Sequence, residues 1–170
     1  MDKAAVSRSL ARITHEIIEK NRGCADIVLI GIKRRGAPLA KILAENIEKF
    51  EGVKVPVDAV DITPFRDDRG EKAGSEKPEA GLSCAVTEKH VILVDDVIST
   101  GRTVRAAIEA VISYGRPKTI QLAVLVDRGH RELPLRPDFV GKNIPTSKNE
   151  IISVKVDEVD GETSVAIYTL

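Results

Sequence analysis

Four apolar residues, Val91-Ile92-Leu93-Val94, run directly into two adjacent acids, Asp95 and Asp96, and then into Ser99-Thr100-Gly101-Arg102-Thr103. A short apolar run without alternation is a strand covered on both faces. The Thr-Gly turn behind it opens a helix with Val104, Ala107, Ile108 and Val111 inward, and Gly115 and Pro117 end that helix. A strand that feeds a helix belongs to a right-handed parallel crossover. The two acids therefore close a strand at 91–94, at the carboxyl end of a sheet. Open α/β sheets bind their ligands there.

The flanking chain repeats the alternation of helix and strand. Val6, Leu10, Ile13 and Ile17 form one apolar stripe, closed by Gly23. Residues 26–31 read as a buried strand. Pro38 opens a second helix with Leu39, Leu43, Ile47 and Phe50 on one side. Strand candidates follow at 55–62 and 120–126, and one or two more at 151–156 and 164–168. Residues 127–149, broken by Gly129, Pro134, Pro137, Gly141 and Pro145, read as irregular. Residues 64–84 read as a mobile loop, at most with a marginal hairpin; a loop of that length inside a compact domain is usually functional. The expected architecture is a single α/β domain over residues 1–170, a parallel sheet flanked by helices.

Composition narrows the function. The 170 residues carry 26 Lys+Arg and 26 Asp+Glu, so a uniformly basic nucleic-acid binder is excluded and any anion site is local. The neutrality is uneven: residues 1–49 hold ten Lys/Arg against six acids, and residues 151–170 hold one Lys against four acids. Aromatics are 3% with no Trp, which argues against base-stacking platforms. Cys24 and Cys84 lie in no metal-ligand spacing and read as idle thiols of a reducing cytosol. The first residues are too polar for a signal peptide, and no apolar run reaches the ~20 residues of a membrane span. A cytoplasmic protein with no membrane partner is expected.

The loop after the acid pair suits a phosphate. A helix N-terminus offers free N–H groups and partial positive charge, and Gly101 lets the backbone come close. Ser99, Thr100 and Thr103 add hydroxyls. Asp95 and Asp96 beside it suit ribose hydroxyls or a Mg²⁺ shell. Neither the Walker A pattern nor the dinucleotide fingerprint is present. A second element, Gly31-Ile32-Lys33-Arg34-Arg35-Gly36, brackets three cations between glycines at another strand end, as a pyrophosphate requires.

Strand, acid pair, Thr-Gly-x-Thr and helix in this order resemble the type I phosphoribosyltransferases, which bind phosphoribosyl pyrophosphate (PRPP). That resemblance implies a type I phosphoribosyltransferase-like parallel sheet flanked by helices, with a small hood and a flexible loop. It implies PRPP contacts from Arg34, Arg35, Asp95, Asp96, Val97, Ile98, Ser99, Thr100, Gly101, Arg102 and Thr103. Asp95, Asp96 and Arg35 would act in catalysis, and Mg²⁺ would be met by Asp95 and Asp96 through ribose or water. Lys33-Arg34-Arg35 would be a pyrophosphate loop, a place where relatives often carry a cis peptide. The loop containing Arg66, Asp67 and Asp68 would close over the substrates and exclude water.

The stretches Val124–Pro134, Gly141–Ser147 and Asp61-Ile62-Thr63 with Arg66-Asp67-Asp68 are similar to one branch of that family, the bifunctional pyrimidine-operon regulators. The likeness runs from about residue 7 to 168. It implies conversion of uracil and PRPP to UMP and pyrophosphate. It also implies binding to a stem-loop in pyrimidine-operon leader mRNA, tuned by UMP or UTP. The chain would act as a homodimer or larger homo-oligomer, with no DNA partner. RNA contacts would fall on Arg12, His15, Arg131 and Lys142. Arg8, Arg12, His15 and Glu19 do lie opposite the apolar stripe of the first helix. Two positions depart from the branch: Ala11 stands where Thr is usual and Ser99 where an aromatic is. Ser99 is a poor base near neutral pH, so catalysis is expected from positioning and charge. Two other readings are a regulator with vestigial transferase activity and a purine-salvage enzyme without RNA binding.

Overall fold

The computed structural model describes residues 1–67 and 81–170. Helix α1 (Lys3–Lys20) begins at Asp2, whose carboxylate accepts from Ala5 N at 2.8 Å. Beyond its last turn Gly23 N donates back to Ile18 O at 2.9 Å, so the glycine ends the helical region as expected. Strand β1 (Ile27–Ile32), helix α2 (Gly36–Glu51) and strand β2 (Val57–Val60) follow, with a 3₁₀ turn at Thr63–Phe65. Strand β3 (His90–Ile98), helix α3 (Arg102–Ser113), strand β4 (Thr119–Asp127) and strand β5 (Phe139–Asn143) complete the main sheet. Strand β6 (Glu150–Lys155), the short helix α4 (Asp157–Asp160) and strand β7 (Ser164–Thr169) form a separate lobe.

The main sheet has the order β2-β1-β3-β4-β5 and is parallel throughout. Strand parity divides its core. Ile27, Leu29, Ile92, Val94, Ala123 and Leu125 pack under α1 and α2, while Val28, Ile30, Val91, Leu93, Leu122 and Val124 pack under α3. With few aromatics, both layers are mostly aliphatic, Phe139 being the aromatic buried in the first. The antiparallel β6–β7 pair joins the first layer through Ile152, Val154 and Val165. Both cysteines are free thiols.

α2 opens two residues before Pro38, and three strands differ more from the sequence reading, each for a reason of pairing. The strand expected at 91–94 runs through both acids to Ile98, because β4 continues alongside it and pairs Asp95 with Val124 and Ile98 with Asp127. The strand expected at 55–62 shortens to 57–60. Pro56 cannot donate to a ladder, and only its carbonyl is used, by Leu29 N at 3.0 Å. The stretch read as irregular at 127–149 contains β5, whose only buried side chain is Phe139. A short edge strand with Lys142 and Asn143 shows little apolar patterning. Of the loop expected at 64–84, residues 68–80, and with them Asp68, lie outside the described residues.

The β1–α2 connection lies directly on β3. A Cβ at Gly36 would sit 2.3 Å from Val94 O, and one at Gly31 2.4 Å from Gly36 O. Both neighbours are backbone, which cannot swing aside. Gly36→Ala is expected to lower stability by about 1–3 kcal/mol, as overpacking does. Urea denaturation checks this, with Ala44→Gly on the same helix as a propensity control of about 1 kcal/mol.

Candidate active site

Three depressions line the carboxyl edge of the parallel strands. The central one, about 320 Å³, gathers Lys33, Arg34 and Arg35 after β1, Asp95 and Asp96 on β3, and Thr103 on α3. The second, about 160 Å³, lies between Thr100, Arg102 and Thr103 on one side and Arg66 and Asp67 on the other. The third is an open cleft of about 860 Å³ beyond β4, with Asp127, Gly129, Arg131 and Leu135 in its wall. Sequence-distant cations, acids and hydroxyls thus meet at one edge, where a parallel sheet presents its loops.

The acid pair is not symmetric. Asp95 is 7% exposed, and its Oδ1 accepts from Asp96 N at 2.9 Å. Burial, together with the adjacent Asp96, pushes its carboxyl well above the ordinary carboxylate range. Asp96 is half-buried, and its Oδ1 accepts from Val97 N at 2.9 Å. Asp95 thus holds a proton more readily than an ordinary carboxyl.

Behind the acids the chain turns through Ser99 and Thr100 to Gly101. Gly101 has φ +92°, a left-handed conformation that favours glycine, and caps α3 without a side chain of its own. Thr100 Oγ1 accepts from Arg102 N at 3.2 Å. Thr100, Arg102 and Thr103 at the N-terminus of α3 line the second depression, where free helix N–H groups and partial positive charge suit an anion. Ile98 is 2% exposed and its carbonyl accepts from Arg128 N at 3.1 Å, so it anchors the loop from inside the core. Thr100 O accepts from Glu132 N and Leu133 N at 2.9 and 3.1 Å, which ties the 128–135 loop to the turn before α3.

Two arginines of this edge carry ion pairs that the sequence did not announce. Arg102 donates to Glu132 at 2.6 Å and to Asp67 at 2.7 Å, bridging two walls. Arg35 makes a two-pronged contact with Asp160 of α4, at 2.9 and 3.1 Å. Their partners lie 30 to 125 residues away, beyond local patterning. Lys33–Arg34 is a cis peptide, as the resemblance implied.

The residues expected on an RNA face divide. Arg12 donates to Val140 O at 3.2 Å and Gly141 O at 2.6 Å, fastening α1 to β5. Lys142 is next along that strand, on the opposite face by parity, and is exposed. His15 is exposed and stacks on Phe50 of α2, with ring centroids 4.4 Å apart. Arg131 is half-buried and committed: it grips Asp127 at 2.6 and 3.0 Å, Ser99 O at 2.9 Å and Leu135 O at 2.7 Å. Its charge is offset by Asp127, so it braces the third cleft, and the four residues are spread over α1, β5 and the 128–135 loop rather than sharing one helix face. Burial raises the Asp127 carboxyl, but the bonds from Arg131 and Gly129 N outweigh it and leave the group below its ordinary value.

Among the described residues no group of three or more His, Cys, Asp or Glu side chains could hold a metal ion. The oxygen donors of Asp95 and Asp96 suit Mg²⁺, which takes one or two carboxylates and completes its shell with substrate oxygens and water. Among the described residues no helix is long and apolar enough to cross a membrane.

The family model of the phosphoribosyl transferase domain matches residues 2–159. A protein of Clostridium novyi named Bifunctional protein PyrR is 60% identical over 171 residues, covering 99% of this chain and 95% of the relative. One of the same name from Acetivibrio thermocellus is 55% identical over 170 residues, covering 98% and 91%. Among solved structures, a hypoxanthine-guanine phosphoribosyltransferase of Bacillus anthracis superposes with a TM-score of 0.75 at 20% identity, covering 100% of this chain and 96% of that one. The hypoxanthine phosphoribosyltransferase of Trypanosoma cruzi does so with 0.75 at 17% identity, covering 99% and 94%. These last two share the fold.

The asymmetry of the acids has a measurable sign. A carboxyl whose folded pKa is raised favours folding at low pH, and that contribution is lost as pH rises through the folded value. Asp95→Asn removes the buried charge while its side-chain oxygen can still accept from Asp96 N. Its Tm should exceed that of the wild type at pH 8, and the gain should shrink as pH falls towards 4. Calorimetry over that range checks this; a gain that grows on acidification contradicts it.

Proposed function

Because the chain belongs to the phosphoribosyltransferase family, in its bifunctional PyrR branch, we propose that it converts uracil and PRPP to UMP and pyrophosphate and regulates pyrimidine genes by binding leader mRNA. The observation that carries the catalytic part is the convergence of Asp95 and Asp96 with the α3 N-terminus and the Lys33–Arg35 loop around one depression. Residues 1–170 work as one domain in the cytoplasm, and the chain assembles as a homodimer or larger homo-oligomer.

The α3 N-terminus takes the 5′-phosphate, with Thr100, Gly101, Arg102 and Thr103 around it and the backbone of Val97, Ile98 and Ser99 leading in. Asp96 accepts a ribose hydroxyl. Asp95, holding its proton more readily, donates to or accepts from the other. Arg34 and Arg35 hold the pyrophosphate. Uracil enters from the cleft beyond β4, braced by Arg131. Its ring nitrogen forms a bond to C1′ as the C1′–O bond to pyrophosphate breaks; the electron pair leaves with pyrophosphate and the nitrogen's proton passes to water. Asp95 and Asp96 would hold Mg²⁺ through ribose or water, and the ion would supply charge neutralisation for the leaving group. Arg66 and Asp67, which line the second depression, would help to close the site over the substrates. Ser99 supplies no base, so rate enhancement comes from positioning and charge.

The RNA reading rests on the branch and on the polar side chains of α1, β5 and the 128–135 loop: Arg12, His15, Arg131 and Lys142 would meet a stem-loop, and UMP or UTP in the active site would favour that form. Such a shift requires the nucleotide to bind the RNA-competent form more tightly. A regulator with vestigial transferase activity is the second reading, and Ser99 favours it.

Purified protein should form UMP from uracil and labelled PRPP. Asp95→Asn with Asp96→Asn should cut that rate at least ~10²-fold, a few kcal/mol of transition-state binding. Near-normal turnover in that variant removes the acids from catalysis; binding of UMP without any turnover in the wild type selects the vestigial reading. In gel shifts, UMP should strengthen binding to the leader RNA, and Lys142→Ala with Arg12→Ala should weaken it. Undiminished RNA binding in that pair removes the proposed face.

A further inference from the structure

The second sheet reaches the active site through one side chain. Asp160 ends α4 between β6 and β7, and the chain reverses at once through Gly161, φ +73°. Its Oδ2 accepts from Val156 N at 2.8 Å, so the carboxylate is fixed by its own backbone. That backbone is fixed in turn by Ile152, Val154, Val156 and Val165 in the layer under α1 and α2. Lys41 of α2 meets Glu158 at 2.7 Å, a second tie between the same two elements. From this anchored position Asp160 takes Nε and Nη2 of Arg35 in a fork.

A guanidinium has five N–H donors in one plane. Two are spent on Asp160, and the plane is then set. Three donors remain on a side chain that also lines the depression with Asp96 and Lys33. The ion pair is partly open to solvent, and such pairs add little to stability. What a fork contact does supply is orientation, which a long side chain otherwise lacks.

We propose that Asp160 is a positioning residue that orients Arg35 towards the pyrophosphate of the bound substrate. The β6–α4–β7 lobe is thereby a working part of the active site. This rests on the transferase reading of the Arg35 loop. UMP carries no pyrophosphate, so the proposal separates ligands: PRPP and pyrophosphate depend on Asp160, and UMP does not.

The test uses titration calorimetry of the full chain with PRPP, pyrophosphate and UMP, each with Mg²⁺, beside steady-state turnover. Asp160→Asn should weaken PRPP and pyrophosphate about tenfold, the worth of one charge-assisted bond, and leave UMP unchanged. Asp160→Glu should recover part of the loss. In an Arg35→Ala background Asp160→Asn should add nothing, because the carboxylate acts through Arg35. KM for PRPP should rise more than kcat falls. Equal weakening of UMP and PRPP gives Asp160 a merely structural role and overturns the proposal. Tighter PRPP binding in Asp160→Asn makes the carboxylate a competitor and also overturns it. A wild type that binds PRPP but forms no UMP fails the transferase reading alone, and the binding arms still decide the role of Asp160.

Discussion

The site depends on a contact of backbone with backbone. The turn after β1 lies so closely on β3 at Val94 that Gly36 has no room for a methyl group, and Gly31 has none beneath the start of α2. Every later feature uses that approach. It brings three consecutive cations within reach of two consecutive acids, although 60 residues separate Arg35 from Asp95. It starts α2 at Gly36, which puts the Arg35 side chain at the helix mouth. Two polar loops that would repel water poorly as separate turns become the two sides of one depression.

Local chemistry made much of this legible. The apolar run at 91–94, the acids and the Thr-Gly turn are a local pattern, and so are the stripes of α1 and α2. The division of the core into two layers follows from parity alone. Other features have no local signal. β5 is an edge strand with one buried residue, and its identity comes from β4 beside it. The extension of β3 through Asp95 and Asp96 likewise comes from its partner, since acids are poor strand formers. Asp160 and Glu132 look like ordinary surface acids in the sequence and acquire meaning only through the arginines they meet. Arg131 shows the reverse: a cation that reads as exposed is neutralised by Asp127 four residues earlier.

Electrostatics at the strand ends are therefore more balanced than the count of cations suggests. Arg35, Arg102 and Arg131 each have a carboxylate partner. The zero net charge is not only the sum of a basic first third and an acidic last segment; it is repeated at the scale of single contacts. Asp95 is the exception, because burial and its neighbour Asp96 work against its charge. A protein that keeps such a group at the end of its central strand keeps a local cost there, with the surrounding aliphatic layers to hold it.

The Arg102 bridge carries a consequence for how an anion would arrive. Its guanidinium is already shared by two carboxylates, Asp67 and Glu132. A phosphate at the α3 N-terminus would meet a cation that exchanges one counterion for another, as a metal exchanges ligands. The exchange would release Glu132, in the loop that leads to the third cleft, while Asp67 keeps Arg105 at 3.9 Å. Occupancy at the α3 N-terminus would in this way be felt in a neighbouring loop through a single side chain, without any movement of the sheet.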